Sequence, residues 1–93
     1  KNNQLLQNID TKLKRVNALR FINSQILAVA GDDGRIKFWN INGKLEQEFE
    51  QGHSNSILHL ALSHDGQKLA SASQDGTIKI WSVKNRRLLH TFS

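Results

Sequence analysis

Four histidines, eight acidic residues and a scatter of serines are the chemically capable side chains of this 93-residue chain. A metal centre needs several such groups converging at ligand spacing. His53, His59, His64 and His90 fall on segments of different character and show no such spacing. Asp32–Asp33 and Asp65 suit calcium binding or paired-carboxylate catalysis, but the D-x-D-x-D-G spacing of a calcium loop is absent. "GDDG" (Gly31 to Gly34) and "SQDG" (Ser73 to Gly76) lack the G-K-[ST] that completes a phosphate loop. No serine, Ser71 included, sits in a G-x-S-x-G nucleophile elbow. Cysteine is absent, which removes thiolate chemistry and any disulfide framework. The expectation is therefore no enzyme, no metal and no cofactor, with Asp33 and Asp75 serving as turn residues.

The elements that must position these groups form a repeat. "VAGDDGRIKFW" (Val29 to Trp39) returns as "SASQDGTIKIW" (Ser71 to Trp81), 42 residues later. "RIKFW" and "TIKIW" alternate polar and apolar residues with period two and are rich in β-branched and aromatic types, so each reads as a strand. "ILAVA" and "LASAS" read as short strands before them, whose small residues let a second sheet come close. One strand earlier stand "VNALRF" (Val16 to Phe21) and "ILHLAL" (Ile57 to Leu62). Both put apolar residues at the first, fourth and sixth places, a break in strict alternation that predicts a bulge in each. Asp-Gly in "DDG" and "QDG" is a tight hairpin signal, and "INSQ", "SHDGQ", "NING" and "VKNR" supply the other turns. A fourth, more polar element occurs as "QLLQNID" (Gln4 to Asp10), "KLEQEFE" (Lys44 to Glu50) and "RLLHTFS" (Arg87 to Ser93), as suits an edge strand. With the strands lettered in order, the chain reads d, a-b-c-d, a-b-c-d. An all-β chain of four-stranded antiparallel meanders, repeating every 40–45 residues or so with a tryptophan closing strand c, predicts the blades of a β-propeller.

At these residues the sequence resembles the WD-repeat β-propeller family over essentially its whole length. The second copy carries most of the pattern: Gly52–His53, "SHDG" where the family has Ser-Pro-Asp-Gly, "LASASQDGTIKIW", and Ser82 where the family often has Asp. The resemblance implies a buried structural network of His53, Ser71, Asp75 and Trp81. Its physical reason is that a buried indole N–H and an imidazole each need partners. The first copy departs from the pattern. Thr11–Lys12 replace Gly-His and Val29 stands where the second copy has Ser71, leaving only Asp33 and Trp39. A complete network is not expected there, and packing around Ile36, Phe38 and Trp39 is expected instead.

The expected organisation is an outer strand of a preceding blade (residues 1–10), a degenerate first blade (11–50) and a second blade (51–93). Since a ring closes with roughly 4–8 blades, two blades read as part of a larger ring. The missing blades are expected in the same chain or in other subunits. The longest apolar run, "ILAVA", is far too short to span a membrane, and the opening "KNNQLLQNID" has no signal-peptide core, so a cytoplasmic location is expected. The formal net charge of +5 raises the question of an anionic partner. Lys12, Lys14 and Arg15 precede strand a, whereas Lys84, Arg86 and Arg87 lie between c and d, at the opposite end of a meander. With divided charge and no clear exposed aromatic to stack bases, general nucleic-acid binding is not expected. An acidic protein at either end is easier to support.

The expected function is a protein-interaction scaffold that presents loop residues to a protein or peptide. In the family, partners often dock on the end bearing the d–a and b–c loops. The matching positions are Arg15, Asn17 and Asp32 in the first copy and Ser56, Leu58 and Gln74 in the second. Two alternatives stand beside this. One is a structural or sensing segment of a larger signalling protein linked to an ATPase or kinase domain. The other is a self-assembling oligomeric ring.

Overall fold

The computed structural model describes residues 15–49 and 51–93. The anticipated leading d strand (residues 1–10), Thr11–Lys12 and Lys14 lie outside those residues. Eight strands follow one another: β1 (Val16–Phe21), β2 (Ile26–Gly31), β3 (Ile36–Asn40), β4 (Leu45–Glu48), β5 (Ile57–Leu62), β6 (Lys68–Ser73), β7 (Ile78–Ser82) and β8 (Arg87–Phe92). They form two four-stranded antiparallel sheets in the orders β1-β2-β3-β4 and β5-β6-β7-β8. The fold is all-β, and both sheets are meanders. Among the described residues there is no helix, hence none long and apolar enough to cross a membrane.

Alternation along the strands decides what each face meets. In the first sheet Ala28 pairs with Phe38 and Ala30 with Ile36 on one face, while Leu27 pairs with Trp39 on the other. The first set, with Phe49, packs against Ile57, Leu60, Leu69 and Trp81 of the second sheet. The two alanines leave room for this close approach, and the aromatic rings fill it edge to face. Phe38 and Phe49 stand 5.0 Å apart and Phe49 and Trp81 5.2 Å, a geometry worth about 0.5–1.5 kcal/mol per pair beyond area burial. Between the sheets, the inner strands β1 and β5 lie nearest each other. Both carry the bulge that their broken alternation predicts, between Val16 and Ala18 and between Ile57 and His59.

The Asp-Gly hairpins need glycine. Gly34 has φ 75° and Gly76 φ 90°, a region that Cβ sterics deny to most residues. Asp33 and Asp75 fold back on these turns, each accepting the N–H two residues on, from Arg35 at 3.0 Å and Thr77 at 2.8 Å.

One face of the second sheet lacks the cover its counterpart has. Ala70 pairs with Ile80, Ala72 with Ile78, and Ile78 with Phe92, repeating the set Ala28, Ala30, Ile36, Phe38 and Phe49. In the first sheet Ile36 and Phe49 are fully buried, whereas Ile78 is 47% and Phe92 55% exposed.

Candidate protein-interaction face

His53 reaches the junction between the sheets because two loops touch there. Its N–H donates to the Gly34 carbonyl at 2.7 Å, and a Cβ on Gly52 would stand 2.5 Å from that same oxygen. The "GH" dipeptide thus joins the start of one blade to the b–c turn of the other.

The imidazole is fully buried. Its Nε2 lies 2.6 Å from Ser71 Oγ, and the Trp81 indole N–H donates to the same oxygen at 2.9 Å. The Asp75 carboxylate beside Nδ1 can only accept, so the neutral imidazole carries its proton on Nδ1 and its Nε2 accepts from the Ser71 hydroxyl. Nδ1 faces Asp75 Oδ2 at 3.1 Å and Thr77 Oγ1 at 3.0 Å. Burial pushes the imidazole below its ordinary pKa, and this outweighs the opposing pull of the Asp75 carboxylate. Burial works to raise the Asp75 carboxyl, but donors from the Thr77 hydroxyl and N–H, the Ser54 N–H and His53 hold it well below the usual carboxylate range. His53, Ser71, Asp75 and Trp81 are therefore one connected chain of bonds. Thr77 and the Ser54 backbone complete it. Neither was singled out in the sequence, although Thr77 follows Asp-Gly where the first copy has Arg35.

The first blade does not repeat this network. Val29 cannot accept a hydrogen bond, and Trp39 Nε1 is buried without a partner among the described residues. Asp33 Oδ2 instead meets Lys37 Nζ at 3.4 Å, and Arg35 Nε meets Glu48 at 3.6 Å. Ile36 and Phe38 pack toward the second sheet, while Trp39 packs with Leu27 and Val29 on the opposite face.

The six loop-end positions divide into two groups. Asn17 Nδ2 donates to Asp32 Oδ1 at 2.9 Å and to the Ile57 carbonyl at 3.1 Å, while Ser56 Oγ donates to Asp32 Oδ1 at 3.1 Å. These three residues form a clasp between the blades. Arg15, Leu58 and Gln74 are exposed around it, Leu58 at 37% despite its apolar side chain. The Gln74 N–H donates to the Ser56 carbonyl at 3.0 Å, and the Arg15 carbonyl accepts from the Asp32 N–H at 2.9 Å, so both backbones are fixed. Among the described residues, no three His, Asp or Glu side chains stand together as a metal site would need.

The family model described as "WD domain, G-beta repeat" matches residues 3–40 and 43–82. The chain belongs to the WD-repeat family. Its second matched repeat runs from Gly43 to Ser82, so it takes in β4 of one blade and β5–β7 of the next. That repeat thereby ties two neighbouring sheets together covalently. Among solved structures, one entitled "Structure of U3-55K" superposes with a TM-score of 0.77 at 27% identity, covering 84% of this chain and 26% of that one. The "Crystal structure of RRP9 WD40 repeats" gives a TM-score of 0.76 at 27% identity with the same coverages. The chain thus spans about a quarter of the length of either structure. No curated protein matches its sequence significantly. WD-repeat propellers are generally non-enzymatic scaffolds that mediate protein–protein interaction.

Proposed function

We propose that these two blades serve as a protein- or peptide-docking platform, with Arg15, Leu58 and Gln74 as contact residues around the Asn17–Asp32–Ser56 clasp. The observation that carries this reading is the exposed apolar side chain of Leu58 beside polar groups whose backbone is held by hydrogen bonds within each blade, with the Asn17 side chain bridging to the Ile57 carbonyl of the next. A rigid platform loses little entropy when a ligand binds, and an exposed apolar residue within a polar rim resembles the centre of a small recognition patch. The test is selection of binding peptides from a random library on the intact protein, followed by affinity measurement on the Arg15→Ala/Leu58→Ala/Gln74→Ala variant. This triple variant spares the clasp. Affinity unchanged within a factor of two would remove the surface from consideration.

The open face of the second sheet favours a second reading, in which the blades are a structural segment of a larger propeller. The set Ala70, Ala72, Ile78, Ile80 and Phe92 has the composition that a neighbouring blade buries in the first sheet. Under this reading Phe92→Asp lowers the stability of the intact protein by roughly 2–4 kcal/mol, as expected for a carboxylate or cavity placed in a core. An unchanged midpoint in chemical denaturation would mean that the face stays in water.

A further inference from the structure

The positive charge of the described residues is gathered at one end of the blades. The d–a and b–c end carries Arg15, Arg35, Lys37 and Lys79 against Asp32, Asp33, Glu48 and Asp75. The ion pairs of the described residues, Arg35–Glu48 and Lys37–Asp33, lie at that end, as does the hydrogen bond from the neutral His53 imidazole to Asp75. At the a–b and c–d end, Arg20, Lys44, Lys68, Lys84, Arg86 and Arg87 stand against two acids among the described residues, Glu46 and Asp65. Of those acids, Asp65 is turned into its own hairpin, accepting from the Ser63 hydroxyl at 2.7 Å and the Gln67 N–H at 3.0 Å. The Lys84, Arg86 and Arg87 cluster lies at the end that the sequence indicates and Arg15 at the other, with Lys12 and Lys14 outside the described residues; strand placement adds Arg20, Lys44 and Lys68 to the former.

The backbone holds the cluster together. Lys68 pairs with Ser82 and Ser82 with Arg87, so Lys68 and Arg87 are two strands apart, about 10 Å. The Val83 N–H donates to the Gln67 carbonyl at 3.0 Å, which sets the turn carrying Lys84 and Arg86 beside the turn preceding Lys68. Two members also reach across the blades. Arg20 Nε donates to the Leu60 carbonyl at 3.3 Å, and the Arg86 guanidinium lies 5.5 Å from the Phe38 ring centroid. Arg86 adopts φ 56°, the left-handed region that the last residue of this tight turn requires.

We infer that this end is an electrostatic docking surface for an acidic, Asp- and Glu-rich protein segment, distinct from the loop-end face and independent of it. Two features favour a polypeptide over a single-stranded nucleic acid. The exposed phenylalanine of the second sheet, Phe92, lies at the other end, and Phe21, though exposed, belongs to the face of the first sheet turned away from Lys68, Lys84 and Arg87. Sequence-tolerant binding of single strands relies on aromatic rings interleaved with the cations; Phe38 beneath Arg86 is buried, and no exposed Phe or Trp stands among Lys68, Lys84 and Arg87.

The experiment is fluorescence anisotropy on the intact protein with two labelled probes of equal length, a Glu/Asp-rich 12-residue peptide and a single-stranded RNA 12-mer, at low and physiological salt. The expected result is salt-sensitive peptide binding, weakened roughly tenfold in the Lys84→Gln/Arg87→Gln variant. The Arg35→Gln variant, which loses a charge at the opposite end, should bind the peptide as the parent does. Both variants change exposed side chains, and circular dichroism checks that they fold alike. No peptide binding at low salt, equal weakening by Arg35→Gln, or tighter binding of the RNA would each overturn the inference.

Discussion

Ser71 is the junction of the buried network, so Ser71→Ala tests the physical account most directly. Removing its hydroxyl strands the Trp81 indole N–H and the His53 Nε2 acceptor together. Trp81 is 1% exposed and the imidazole side chain fully buried, so water reaches neither without structural change. An orphaned buried group costs about 1–3 kcal/mol. Two orphans set an upper range of roughly 2–6 kcal/mol, and local relaxation brings the expectation to about 2–4 kcal/mol. A double-mutant cycle with Trp81→Phe separates hydrogen bonding from packing. Trp81→Phe removes the donor itself, so Ser71→Ala should cost less in that background, with a coupling of about 1–2 kcal/mol. The assay is urea denaturation of the intact protein followed by circular dichroism. Additive costs within about 0.3 kcal/mol would refute the claim that the serine hydroxyl is shared between indole and imidazole.

Three further outcomes follow from the same geometry. His53 has a folded pKa below its unfolded value near 6.5, so the unfolded chain binds more protons and stability falls as pH drops from 7 toward 5. Denaturation midpoints across that range should show a slope that His53→Gln loses, even though His53→Gln is less stable at pH 7. Gly34→Ala and Gly76→Ala both place a Cβ at positive φ, but only at Gly34 does it run into a backbone carbonyl, that of His53; nothing stands within 4 Å of it at Gly76. Gly76→Ala should cost about 1–2 kcal/mol and Gly34→Ala clearly more, and equal losses would show that the Gly34–His53 contact is not tight. Phe49→Ala empties the ring position between Phe38 and Trp81 and should cost roughly 3–5 kcal/mol, read from the same denaturation curves.

The strands were legible in the sequence because their signals are local. Period-two alternation in "RIKFW" and "TIKIW", Asp-Gly at both hairpins and the small residues of "ILAVA" each report on neighbours a few positions away. Even the bulges could be read, because an extra residue shifts the apolar pattern of "VNALRF" and "ILHLAL". What could not be read depends on how one sheet sits on the next. The Asn17–Asp32–Ser56 clasp joins three polar residues from β1, the b–c turn and the entry to β5, and no spacing along the chain announces it. Thr77 was hidden for another reason: a β-branched polar residue opening a strand needs no special explanation until Asp75 and His53 are seen around it.

Divergence between the two copies bears on function more than their likeness does. Likeness is demanded at Asp33 and Asp75, at Gly34 and Gly76, and at Trp39 and Trp81, because the turn and the packed strand c recur in each blade. Where the copies part, different chemistry solves a shared structural need. Val29 in place of Ser71 gives up the indole acceptor, and with Arg35 in place of Thr77 the Asp33 carboxylate meets Lys37, a lysine that both copies carry, where Asp75 meets His53 and Thr77. Lys68 in place of Ile26 has no such structural motive. Ile26 packs against the shared core, whereas Lys68 is exposed and adds a cation to an end already rich in them. A lysine at that place concentrates charge on one surface, the pattern expected where a surface meets an acidic partner.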